Sequence, residues 1–202
     1  MNQIEIKKLI SLAKGDDAKA QYDLGKFYEA IGDAQNAVQW YSKSVKNKYP
    51  YAFISLADMY VHGWGVQKND PKAFELISYA ANKLCNNAVS EVLGYYYICG
   101  IGCAPDINMG IKTYIKAADL GNGNAAEKLG CTFLRGDYNI PVDYAKAVEW
   151  FERAYGMGSE NAAVYLYHIY DGVYTPSMKN KNEFTKWRAI CNSYNPSLLK
   201  RS

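Results

Sequence analysis

Residues 52–81 read AFISLADMYVHGWGVQKNDPKAFELISYAA. The stretch parses as a helix, a glycine-rich turn and a second helix. Ala52, Leu56 and Tyr60 stand four residues apart, which places them on one helix face. Gly63-Trp64-Gly65-Val66 supplies the positive φ values that end a helix and redirect the chain. Asp70 then suits an N-cap and Pro71 a first helical turn, ahead of a second apolar periodicity through Ala73, Phe74 and Leu76 to Ala80-Ala81.

Most of the chain repeats this unit. Leu24, Leu56, Leu93, Leu129 and Leu166 follow one another at intervals of 32, 37, 36 and 37 residues. Four residues before each lies a small or short apolar side chain (Ala20, Ala52, Val89, Ala125, Ala162), and four after it an aromatic (Tyr28, Tyr60, Tyr97, Phe133, Tyr170). A small residue lets helices approach closely while a leucine and an aromatic fill the seam. Gly100-Ile101-Gly102-Cys103 repeats the turn; Gly136-Asp137-Tyr138 keeps its first glycine, and Gly32-Asp33 joins its helices almost directly. Asp106 and Asp143 stand where further N-caps are expected. A glycine pair that recurs in register as a connector has a structural explanation, so no phosphate loop is expected from it.

These residues resemble the Sel-1-like repeat family, α/α-solenoid relatives of the tetratricopeptide repeats. Gly63-Trp64-Gly65-Val66 and the run Asp143-Tyr144-Ala145-Lys146-Ala147 with Trp150-Phe151 follow the family pattern near-literally. The first repeat lacks the turn insertion; the fifth is degenerate, although Trp187 restores its second-helix aromatic. The resemblance implies an all-α, right-handed superhelical solenoid of about five helix-turn-helix repeats. One domain is expected over 1–202: a cap helix at 1–17, repeats at 18–50, 51–87, 88–123, 124–160 and 161–191, and a tail at 192–202.

Composition agrees with a folded protein and excludes several classes. Of 202 residues, 49% are hydrophobic and 21% charged, with 19 tyrosines. A net charge of +3 without a Lys/Arg run argues against nucleic acid. Glu5, Lys7, Lys8 and Lys14 interrupt the head of the chain, which therefore reads neither as a signal peptide nor as a membrane span; a cytoplasmic protein is expected. Five cysteines at irregular spacing, with no CxxC, signal neither a zinc site nor a disulfide ladder. Only two histidines occur, His62 and His168, and neither stands in a catalytic or metal-binding pattern. No enzymatic activity, cofactor or metal is expected. Cysteine-rich members of the family have been linked to enzymatic activity, but their regularly paired cysteines are absent here.

The resemblance further implies that the first helices line a concave groove. The groove positions include Tyr22 in the first repeat, Tyr51, Ile54, Asp58 and Val61 in the second, and Glu91, Tyr95 and Ile98 in the third. Glu127 and Leu134 follow in the fourth, His168 and Asp171 in the fifth. From the second repeat onward this face has acids and no Lys or Arg, which suits a basic, partly apolar polypeptide. The function expected is a protein-protein interaction scaffold, its oligomeric state left open with a monomer favoured. Its sharper form is an immunity protein that occludes a bacterial toxin. A hydrolase, or a glycan-binding protein of the cell envelope, stands as the further alternative.

Overall fold

A computed structural model of the chain describes residues 3–194. Among these residues the regular structure is helical, without strands. α1 (Gln3–Lys14) precedes five helix pairs. They are α2 (Ala18–Ala30) with α3 (Ala34–Lys46), α4 (Pro50–His62) with α5 (Asp70–Lys83), α6 (Asn87–Cys99) with α7 (Ile107–Asp119), α8 (Gly123–Arg135) with α9 (Tyr144–Gly156), and α10 (Glu160–Asp171) with α11 (Lys181–Tyr194). The helices form two compact units, one ending at Thr113 and one beginning at Tyr114. Of the tail expected at 192–202, residues 192–194 continue α11, and the rest lies outside the described residues.

The leucine register governs burial. Leu24, Leu56, Leu93, Leu129 and Leu166 are buried, as are Ala20, Ala52, Val89, Ala125 and Ala162 one turn before them. Each leucine contributes about 1.5–3 kcal/mol by leaving water. The aromatics one turn later are half-buried, and their backbone has a second use. In every repeat the carbonyl of that aromatic accepts from the N–H of the residue that caps the second helix: Tyr28 from Asp33, Tyr60 from Asn69, Tyr97 from Asp106, Phe133 from Asp143 and Tyr170 from Asn180. The fifth repeat, irregular in sequence, thus keeps the same joint.

The caps correct one expectation. Asp106 and Asp143 cap α7 and α9, accepting from the N–H groups of Met109 and Lys146. Asn69, not Asp70, caps α5, accepting from Lys72 at 3.0 Å. Asp70 is already helical, with Pro71 after it.

Packing within a repeat sets an aromatic flat on a glycine. The Tyr41 ring of α3 covers Gly25 of α2, and the Phe151 ring of α9 covers Gly130 of α8. In the second repeat the same two positions are Ile77 and Ala57, both buried in one apolar cluster; the smaller side chain leaves room for a methyl group.

Between repeats the second glycine of the turn is the contact. Gly65 lies against the backbone of Ala34 and Gln35 at the start of α3, and Gly102 against Asp70 and Phe74 at the start of α5. The turn of one repeat therefore presses on the first turn of the preceding second helix. In the fourth repeat Tyr138 stands at the second-glycine position and takes the left-handed conformation, with φ 61°.

At the N-terminal end, α1 docks through Ala13 onto Ala20 and Leu24. Polar bonds fix the corner. The buried Gln21 amide donates to the Ala13 carbonyl and accepts from Asn47, while the Ser44 hydroxyl donates to the Ala18 carbonyl. A buried amide bonded on both sides carries no desolvation penalty for unpaired groups.

Candidate protein-binding face

In the first unit the face formed by α2, α4 and α6 carries most of the expected positions. Tyr22 is the centre of an aromatic cluster: its ring centroid lies 5.8 Å from Tyr41, 5.1 Å from Tyr49 and 6.3 Å from Tyr51. Tyr49 and Tyr51 touch each other at 5.8 Å. The cluster forms because Tyr49-Pro50-Tyr51 brackets the start of α4, with Tyr49 at its N-cap position. Buried Tyr41 anchors it: its hydroxyl donates to the Glu29 carboxylate, and burial, then Glu29, holds its pKa far above the ordinary value. Tyr51 is left 43% exposed and Tyr95 47%, two aromatic surfaces available to a ligand.

The acids of this face differ in their settings. Asp58 is exposed and pairs with His62 one turn on, at 3.1 Å. The His62 ring stacks on Trp64 at 4.7 Å. The Tyr96 phenol, pushed up to about 12 by burial, also feels the Asp58 and Asp70 carboxylates. Glu91 is half-buried. Ile54 and Val61 are half-buried too, packed on the cluster that contains Phe53 and Ile77.

Two expected groove residues are corrected. Ile98 is 9% exposed and meets Gly110 of α7; Leu134 of the second unit is 4% exposed. Both belong to the core, because helix packing at the end of a first helix reaches further round its circumference than the leucine register predicts. Neither is available to a ligand.

In the second unit, Glu127 is half-buried and accepts from the Ser159 hydroxyl at the start of α10. His168 and Asp171 lie near each other, both half-buried. Burial lowers the His168 pKa from its ordinary 6.5, while Asp171 opposes the shift, and the buried ring nitrogen Nδ1 has no hydrogen-bond partner. The neutral ring therefore favours the folded state. Its contribution is complete above about pH 6.5 and is lost as pH falls through that value toward the lower folded pKa. Thermal unfolding at pH 7.5 and pH 5 should show a fall in midpoint that is smaller in His168→Leu than in the native chain. An equal fall in both would mean that His168 is not a source of acid sensitivity.

The aromatic cluster was only half legible. Tyr22 and Tyr51 follow from register, and the small-then-aromatic spacing of Ala37 and Tyr41 marks the contact face of α3, whereas Tyr49 escapes both because it lies in a corner. The Tyr-Pro-Tyr motif was the signal that could have found Tyr49. No group of three or more His, Cys, Asp or Glu side chains among the described residues could hold a metal ion. No helix among them is long and apolar enough to cross a membrane.

The repeats match the Sel1 repeat family model at residues 18–49, 51–83, 92–122 and 123–159. The chain belongs to the Sel1 repeat family, whose members mediate protein-protein interaction. An uncharacterised protein of Neisseria meningitidis is 38% identical over 93 residues, 46% of this chain and 20% of that protein. The chain spans a fifth or less of the length of the curated relatives it matches. Among solved structures, a Sel1 repeat protein from Oxalobacter formigenes has a TM-score of 0.74 at 21% identity, covering 92% of this chain and 76% of that one. An immunity protein from Pseudomonas aeruginosa has a TM-score of 0.66 at 20% identity, covering 98% of this chain and 76% of that one. At these identities the likeness establishes the fold.

Proposed function

We propose that the chain is a non-enzymatic scaffold that binds a basic, partly apolar polypeptide along its first-helix face, in a reducing, cytoplasmic setting. The observation that carries this reading is the exposed pair Tyr51 and Tyr95 with Asp58 on the same face, the first ring held in place by Tyr22 and Tyr49. Rigid aromatics backed by a packed cluster are the usual anchors of a protein interface, and nearby carboxylates steer a cationic partner. Glu91 supplies further negative charge to this face of the first unit, and the first helices of the second unit carry acids of their own, Glu127 and Asp171. All five cysteines are free, in keeping with a reducing compartment.

The test is capture of partners from the native cell, identification by mass spectrometry and titration of the captured partner against variants. Tyr51→Ala should weaken binding by about tenfold. The pair Asp58→Lys and Glu91→Lys should weaken it further and flatten its dependence on salt. Native affinity in all these variants would move the binding site elsewhere.

A second reading, immunity against a bacterial toxin, is favoured by the fold shared with the Pseudomonas immunity protein over nearly the whole chain. It is tested by co-expression with a toxin encoded beside the gene. Rescue of growth that Tyr51→Ala abolishes would support occlusion through this same face.

A further inference from the structure

The second-helix side of the first unit carries the opposite charge. Between Asp33 and Asp58 the chain has no acidic residue, yet it has Lys43, Lys46 and Lys48. Two cavities open there and share Lys46. One, of about 360 Å³, is lined by the apolar Val45, Phe53, Leu76 and Tyr79 and rimmed by Lys46, Lys48, Lys72 and Glu75. The other, of about 340 Å³, is polar and is bordered by Lys14, Lys43, Lys46 and Asp16. Five lysines thus stand against two carboxylates. Lys14, Lys43, Lys46 and Lys48 make no ion pair among the described residues. Lys72 lies over the Tyr60 ring, 4.8 Å from its centroid, and Lys43 over the Trp40 ring at 3.9 Å.

An independent observation concerns the backbone. The second residue after α1, α3, α5, α7 and α9 takes a left-handed conformation: Asp16, Lys48, Cys85, Gly121 and Gly158, with φ of 61°, 59°, 49°, 87° and 92°. Their spacings of 32, 37, 36 and 37 residues repeat those of the leucines. Glycine accepts this conformation freely and an L side chain does not. Glycine fills the position in the second unit, whereas in the first Asp16, Lys48 and Cys85 hold it against their own backbone preference, and the first two border the cavities. A strained residue at the rim of a cavity is a signature of use.

We propose that this face is a second docking site, for an acidic polypeptide segment that carries a large apolar side chain. The apolar side chain enters the 360 Å³ cavity. Flanking carboxylates meet the Lys46 and Lys48 ammonium groups on one side, and Lys43 and Lys14 on the other. A cavity of this size holds a single large side chain, and separate ammonium groups around it match separate carboxylates. A nucleic acid backbone would call for a continuous basic track, and a bilayer for a flat one.

The probe is a fluorescein-labelled peptide of aspartate and glutamate around a central leucine and tryptophan, titrated by anisotropy against the full chain. Comparators are the same peptide with its acids replaced by their amides, phosphatidylserine vesicles, and a single-stranded oligonucleotide. Lys48→Gly is the informative variant because it relieves the left-handed backbone. Its thermal midpoint should rise while its affinity for the acidic peptide falls about fivefold or more. Lys46→Glu should abolish saturable binding, and the amide peptide should not bind. The proposal is overturned if Lys48→Gly binds as tightly as the native chain. It is equally overturned if vesicles or the oligonucleotide bind more tightly than the peptide through the same lysines.

Discussion

Replacing Gly102 by alanine is expected to destabilise the first unit by about 3 kcal/mol or more, from two contributions. The left-handed backbone at φ +70° costs an L residue about 1–2 kcal/mol. The added Cβ would stand 2.6 Å from the Asp70 carbonyl carbon and 2.9 Å from the Phe74 Cβ. Overpacking of that kind costs about 1–3 kcal/mol, and here the obstacle is helical backbone, which cannot rotate away. Gly32→Ala is the control. Gly32 has φ +81° but nothing within 4 Å of its would-be Cβ, so only the backbone contribution remains. Urea unfolding of the two variants should give clearly different midpoints. Equal midpoints would mean that Gly102 serves only as a turn and that its pressure on α5 is energetically empty.

The second large effect belongs to the ring that lies on a glycine. Phe151 is 0% exposed, and it stacks on Tyr165 at 4.6 Å. Phe151→Ala should cost about 3–5 kcal/mol, the range for an aromatic removed from a core. Gly130→Ala should cost about 2 kcal/mol, because the new methyl would meet the Phe151 ring at 2.7 Å. The two positions are coupled. The second repeat shows the alternative solution, Ala57 opposite Ile77. The double variant Gly130→Ala with Phe151→Ile should therefore be more stable than the sum of its single changes predicts. Simple additivity in a denaturation series would show that the pairing in the second repeat is unrelated to shape.

These two cases mark how far the sequence could be read. Among the described residues the leucine register located the five first helices, because a buried residue recurring at a nearly constant interval leaves a periodic trace, and small-then-aromatic spacing located α3, α5, α7 and α9. Trp187 was enough to place the last. The N-cap of α5 was misplaced by one residue because Asn69 and Asp70 are both good caps, and the bonds that Asn69 makes to the Lys72 N–H and to the Tyr60 carbonyl distinguish them. Within the binding face, register identified Tyr51, Asp58 and Tyr95 as outward positions. It could not tell that Ile98 and Leu134 turn inward, since their burial depends on how closely a neighbouring helix approaches: Gly110 admits Ile98 because it has no side chain. Tyr49 was missed because it lies in the corner before α4, in a contact that no periodicity links. The left-handed lysine was invisible for a further reason. Only a set of backbone angles shows that Lys48 stands where the third and fourth repeats use glycine.

The contacts of Gly65 with Ala34, and of Gly102 with Asp70, also couple the repeats of the first unit. Each turn and the helix it presses on share one contact, so either loses it when the other opens. Loosening the third repeat would uncover the opening turn of α5, and loosening the second that of α3. The joints of this unit are thus couplings between nearest neighbours, and an opening at one joint weakens the next on either side.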